Sequence, residues 1–366
     1  MDQIIYLDNN ASTKLDDRVL QEMLPYYNLY YGDTDSRYYP QAEFAKKAVE
    51  RSRSQCAKLI RARPQEIIFT SGATESNNIA IKGYCLANSS NGKHIITSLV
   101  EHRSVLEPIK ELEKNGFKVT YLQPDCYGMI STKVEDAVTD DTILVSIMFA
   151  NNELGTINPI NELAEICNKK EIAFHCDATQ GVGKLPFNTN DLPIDLVSFS
   201  SHKIYGPKGV GGLYIKRKLP RTKVNPIIKG GGQEGELRSG TLNVPGIVGL
   251  GYACELAGKL GIDESRRIRI LSENLMQNLS KIDGIMFNNH PDKRLPGTIN
   301  ISIDGVNAES LLSRIADRVA LSSGSACSSR KTEVSHVLKG IGLTESVAKS
   351  TIRVSIGRFK SSAFTY

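Results

Sequence analysis

The stretch DLVSFSSHKIYGPKGVGG, residues 195–212, decides how the rest of the chain is read. Its LVSFS segment is a short apolar run of the kind that forms a buried strand, and the glycines and proline that follow break any regular element. Lys203 stands between the two. A lysine placed directly after a buried strand, inside Ser-Ser-His, loses hydration. That favours the neutral amine needed for Schiff-base formation and general-base work. An exposed loop lysine is the plain alternative.

Upstream, from about residue 66 to 215, short apolar and β-branched runs alternate with amphipathic stretches. Candidate strands are 66–70, 94–98, 119–122, 142–149, 173–176, 196–200 and 212–215, with helical periodicity between most of them. The pattern predicts an α/β domain of parallel strands covered by helices. Phe44, Ala48, Cys56, Leu59 and Ile60 recur at helical spacing, so 43–60 reads as a helix laying one face on the sheet. Downstream, GGGQEGELRSGTLNVPG is too glycine-rich for an element interior, and a long helix over 247–282 follows. The remainder, with LPGTINISI, a helix near 308–318 and STIRVSIGRF, reads as a small α+β unit. A chain of 366 residues exceeds one hydrophobic core. The expected division is a large domain over 16–258 and a small one made of 1–15 and 259–366.

Lys and Arg number 45 against 40 Asp and Glu, a net charge of +5 with no run of one sign. Direct nucleic-acid binding is not indicated, whereas a small anionic ligand such as a phosphate ester suits the balance. Seven cysteines are scattered with no CxxC pair, which argues against a disulfide framework and for a reducing cytoplasm. No apolar run reaches the ~20 residues that cross a bilayer, and no export signal or membrane association is expected.

In open α/β sheets ligands collect at the carboxyl ends of strands, and several residues here sit just past predicted strands. Ser71-Gly72-Ala73-Thr74 follows EIIFT and opens a helix, where backbone N–H groups and the Thr74 hydroxyl suit a phosphate; a plain N-cap explains them equally. His102 follows HIITS and suits stacking on an aromatic ring with proton exchange near neutral pH. Asp177 ends IAFHC, where a carboxylate holds a pyridine nitrogen protonated or merely caps a turn. Gln180 lies within reach of a ring oxygen, and Asn152 in FANNELG follows another strand. Arg353 offers the bidentate clamp an amino-acid carboxylate needs, or a surface ion pair. Cys327, in SSGSACSS, stands among small residues that suit a mobile loop, so its thiol is chemically available. The other cysteines mostly fall on helix or strand faces, as small hydrophobes.

Taken together, TSGATESNN, EH at 101–102, NNELG, DATQ, SFSSHKIYGPKG, GGGQE with LRSGT, SSGSACSS and IRVSIGRF resemble the cysteine desulfurase family over nearly the whole chain. The resemblance implies the aspartate aminotransferase-like fold (fold type I) of pyridoxal 5'-phosphate (PLP) enzymes, with a seven-stranded, mostly parallel sheet and a small α+β domain. It implies that Lys203 binds the cofactor covalently, His102 stacks on its ring, Asp177 meets the ring nitrogen and Gln180 the ring hydroxyl. Ala73, Thr74, Ser200 and His202 would hold the phosphate. Thr241 would reach the phosphate of a neighbouring subunit, which implies a homodimer. Asn152 and Arg353 would receive the carboxylate of L-cysteine. Cys327 would accept the sulfur as a persulfide, release alanine and pass the sulfur to a protein acceptor. No metal is implied.

Two departures from the family pattern stand out. GDTDSRYYPQAEFA replaces a longer N-P-x-S segment, and the sequence stops at GRFKSSAFTY where the family commonly continues into a further helix. Both departures suggest a specialised relative, one hypothesis being a desulfurase that serves DNA phosphorothioate modification; the acceptor pathways open to the family reading are iron-sulfur assembly, tRNA thiolation and DNA phosphorothioation. The rival readings are another PLP enzyme of this fold, an aminotransferase or selenocysteine lyase, which would keep Lys203 and Asp177 but not need Cys327, and a non-catalytic binding or scaffold protein, which would not need Lys203, Asp177 or Cys327.

Overall fold

Apolar runs pair into three sheets in the computed structural model, which describes residues 4–218, 222–323 and 334–359. The strands are β1 (Ile5–Tyr6), β2 (Ile67–Thr70), β3 (His94–Ser98), β4 (Lys118–Leu122), β5 (Thr142–Ser146), β6 (Ala173–Asp177), β7 (Leu196–Ser200), β8 (Gly211–Ile215), β9 (Ile285–Phe287), β10 (Thr298–Ile303), β11 (Val319–Ala320), β12 (Ser322–Ser323) and β13 (Thr351–Ser355). The largest sheet has seven strands in the order β2-β8-β7-β6-β5-β3-β4. Strand β8 runs antiparallel to both β2 and β7, and the other neighbours are parallel. Two reversals leave β2 pointing the same way as β7, so Thr70, Ser98, Ser146, Asp177 and Ser200 all end strands at one edge.

Every residue of β3, β5, β6, β7 and β8 is buried, as expected where both faces of a sheet are covered. His175, in the middle of β6, is reconciled with this interior by Ser146 Oγ at 2.8 Å and Ser198 Oγ at 3.1 Å. Burial lowers its pKa to about 4, which keeps the imidazole neutral. The expected strand over 142–149 ends earlier, at Ser146. Beyond it the ladder thins, although Ile147 and Phe149 N–H groups still donate to His175 and Asp177 carbonyls.

Helix Pro40–Ile60 packs on helix Val244–Leu279, and both begin three residues before the expected start. Each has a proline in its first turn, where a missing N–H costs nothing. The buried stripe of the first helix runs through Ala45, Ala48, Val49, Ser52, Cys56 and Ile60. Phe44 does not belong to it, contrary to the sequence reading: it lies one position off the stripe, is 50% exposed and packs its ring on Tyr30 at 5.1 Å. The two helices approach so closely that a Cβ on Gly251 would stand 2.6 Å from Ser52 Cα.

The second sheet, β12-β13-β10-β9, is antiparallel and drawn from the last third of the chain. The amino-terminal segment joins it: β1 pairs with β11, and Asp8 bridges to Ser355. Among the described residues no helix is long and apolar enough to cross a membrane.

Candidate active site

The common edge of the parallel strands opens into a cleft of about 590 Å³, within the size range of small-molecule sites. Ala73, Thr74, His102, Asn152, Asp177, Gln180, Ser200, His202, Lys203 and Arg353 all line it. Residues from five strand ends and from the second sheet thus converge, as the sequence positions required. Thr241 is exposed and does not line this cleft. Cys327 lies outside the described residues.

Lys203 closes a short 3-10 turn that follows β7. The expected loss of hydration is partial. The side chain is half-buried, and its Nζ donates to the carbonyls of Asn10 at 2.7 Å and Ala11 at 2.6 Å, which stand in for water. Asn10 also accepts from Gln180 Nε2 at 2.9 Å, while its own amide donates to Thr298 Oγ1 and to the Asn152 carbonyl. The segment Asp8–Ala11 therefore forms one wall of the site. Nothing in the sequence reading singled it out, and its only signal was a run of small polar residues beside Asp8. Lys184 was also missed: it donates to Gln180 Oε1 at 2.7 Å, and burial, with the charges of Lys203 and Arg353 nearby, lowers its pKa to about 7.

Asp177 is 5% exposed at the end of β6, its oxygens accepting from Thr179 N at 3.0 Å and Asn77 Nδ2 at 2.8 Å. His102 opens helix Arg103–Lys114 as its N-cap and is accessible from the cleft. Loss of hydration lowers its pKa against the pull of Asp177, and the positive charges of Lys203 and Arg103 lower it further. His202 is lowered to about 4, by burial first and then by Lys203 and Lys208, so it is neutral at pH 7 and a hydrogen-bonding group rather than a cation.

At the end of β2, Gly72 adopts φ of 149°, a conformation that favours glycine. Strand β8 passes so near that a Cβ on Gly211 would fall 2.6 Å from Gly72 Cα. Two glycines thus let the backbone of this turn lie beside Ser200. Across the cleft, Arg353 on β13 is 6% exposed, and its guanidinium is fixed by Asp8 at 2.6 Å and the Asn152 carbonyl at 3.1 Å. Among the described residues its Nε has no hydrogen-bond partner, nor has the buried Thr179 hydroxyl.

A buried carboxylate, an amine 2.7 Å from a backbone carbonyl, hydroxyl and imidazole donors beside a glycine turn, and unspent donor capacity on Arg353 match what PLP and an amino acid require. Family comparison agrees. The sequence pattern of the aminotransferase class-V family matches residues 5–363. The chain belongs to that family. Within it, the cysteine desulfurase of Homo sapiens is 50% identical over 357 residues, covering 97% of this chain and 78% of the human one. A solved NifS-like protein superposes with a TM-score of 0.93 at 37% identity, covering 99% of this chain and 96% of its own. A structure described as SspA in complex with cysteine superposes with a TM-score of 0.86, also at 37% identity, covering 98% and 100%. The seven-stranded, mostly parallel sheet is that of the class-V fold, its members depend on PLP, and the chain falls in their cysteine desulfurase branch.

Proposed function

We propose that this PLP-dependent cysteine desulfurase moves sulfur from L-cysteine to Cys327 and then to a protein acceptor. The observation that carries the residue assignments is the convergence of Lys203, Asp177, His102 and Arg353 on one cleft. When bound, PLP supplies an electron sink for charge developing beside the substrate amino group. Lys203 would hold it and, once its amine is freed by the substrate's amino group, would take the α-proton. Asp177, held by Asn77 and Thr179, would meet the ring nitrogen, and Gln180 the ring hydroxyl. Ala73, Thr74, Ser200 and His202 would hold the phosphate. Arg353 and Asn152 take the substrate carboxylate. The Cys327 thiolate would attack the substrate sulfur; as the S–S bond forms, the C–S bond breaks with its electron pair going to the carbon fragment, which takes up a proton at Cβ, regains one at Cα and leaves as alanine.

The assignment of Thr241 to a neighbour's phosphate makes the working unit a homodimer. The exposed Leu24, Tyr27, Leu29, Tyr31, Tyr38 and Phe44, all within residues 24–44, support a covered surface there. Sedimentation at twice the 40.2 kDa chain mass is expected, and a particle of single-chain mass would refute the shared site. We read residues 16–258 as the cofactor-binding domain, and 1–15 with 259–366 as the small one. The pairing of β1 with β11 supports that division. The free state of the cysteines at 56, 85, 126, 167, 176 and 254 supports a reducing compartment such as the cytoplasm.

Replacing Cys327 by Ser tests the sulfur route. Visible absorbance from the cofactor and its change on adding cysteine should persist, while alanine formation falls by a factor on the order of 10³ or more, the scale lost with an essential nucleophile. Alanine and sulfide released at the wild-type rate by that variant would exclude Cys327 as acceptor. Labelled sulfur followed from cysteine into candidate iron-sulfur, tRNA-thiolation and DNA-phosphorothioation proteins identifies the pathway.

A further inference from the structure

Behind the cleft, four side chains form a chain of hydrogen bonds whose direction can be assigned from chemistry alone. Asn77 is fully buried, and its Nδ2 lies 2.8 Å from Asp177 Oδ2 and 2.8 Å from Ser104 Oγ. Ser104 Oγ in turn lies 2.7 Å from His102 Nδ1, and the Ser104 backbone N–H donates to the same nitrogen at 3.1 Å. A backbone N–H can only donate, so Nδ1 must accept and carries no proton. An ionised carboxylate can only accept, so Asp177 fixes which end of the Asn77 amide faces it; the reversed amide would set two acceptors against each other. Asn77 therefore spends both its hydrogens, one on Asp177 and one on Ser104. With its lone pair so engaged, the Ser104 hydroxyl points its own hydrogen at His102 Nδ1. The Asn77 Oδ1, left without a partner among the described residues, is what this orientation costs.

We propose that Ser104 and Asn77 are positioning residues that hold His102 as its Nε2–H tautomer, so that it offers the cleft a hydrogen-bond donor and leaves proton abstraction to Lys203. The inference deepens the reading of this cleft as the cofactor site and rests on it for its catalytic meaning. A neutral imidazole already protonated at Nε2 has no basic atom facing the cleft, and protonating Nδ1 forfeits two hydrogen bonds. His102 then acts as a stacking plate with a fixed donor edge rather than as the base. The relay also links the group assigned to the ring nitrogen with the group assigned to the ring face.

Ring-nitrogen NMR of the full chain labelled with ¹⁵N-histidine tests this, before and after PLP is added. His102→Gln identifies the signal among the six histidines. In the wild type, Nδ1 should read as a bare acceptor and Nε2 as protonated. Asp177, Lys203, Arg103 and His336 act on this ring by charge in wild type and variants alike. Ser104→Ala removes one donor to the neutral form and should raise the His102 titration by about one unit, and Ser104→Thr, which keeps the hydroxyl, should restore it. A wild-type ring protonated at Nδ1, or a titration unmoved by Ser104→Ala, would overturn the proposal. The tautomer is read without cysteine and without turnover, so this result stands apart from whether Cys327 carries the sulfur.

Discussion

Arg18 and Arg358 close on Asp16 at 2.7 and 2.8 Å, and the hydrogen bond from Arg18 leads in lowering its carboxyl pKa to about 2. Because the folded value lies below the ordinary 3.8, the charged form stabilises the fold at any pH above 3.8. That contribution is lost as pH falls from 3.8 through about 2. Urea midpoints of wild type and Asp16→Asn should differ by a constant amount near neutrality and converge over that acid window. A gap that persists to the lowest pH would show that the carboxyl is not held low. Single residues were legible where a strand end gave them a place: Lys203, Asp177 and His102 each follow an apolar run. Asn10 and Ala11 were not, because they contribute through peptide carbonyls that any residue possesses. Asn77 drew no reading of its own, because only the fold brings it to Asp177.

Among the elements, helix Val244–Leu279 depends on absent atoms as much as on present ones. A Cβ at Gly251 would meet Ser52 Cα and Cβ at 2.6 Å, and the Cα of a packed helix cannot swing aside. Gly251→Ala should therefore destabilise the chain by about 1–2 kcal/mol, the overpacking cost exceeding the ~1 kcal/mol of helix propensity that alanine gains over glycine. Chemical denaturation measures the difference, and a variant as stable as wild type would mean that the helices separate freely. The strands of the seven-stranded sheet were legible from their apolar runs to within a residue or two, except where β5 ends at Ser146. The antiparallel course of β8 was not, since a buried five-residue run reads the same in either direction. Phe44 was misplaced because a large aromatic ring at helical spacing looks like core until neighbouring alanines prove to define the stripe.

At the scale of the whole molecule, the site is built where three distant parts of the chain meet. Strand ends from the large sheet supply Asp177, Ser200 and Lys203, the amino-terminal segment supplies the carbonyls on Lys203, and β13 supplies Arg353. Arg358 reinforces that meeting by pairing with Asp16 and with Glu264 on the long helix. The α/β class and the smaller α+β part could be read from periodicity. The closing of residues 5–12 onto both could not, because it depends on β-bridges too short to leave a pattern. The central claim joins this pocket to one thiol. After a single turnover with sulfur-labelled cysteine, peptide mapping by mass spectrometry should find the label as a persulfide on Cys327. Label confined to another cysteine, or lost as free sulfide while Cys327 stays unmodified, would contradict the account.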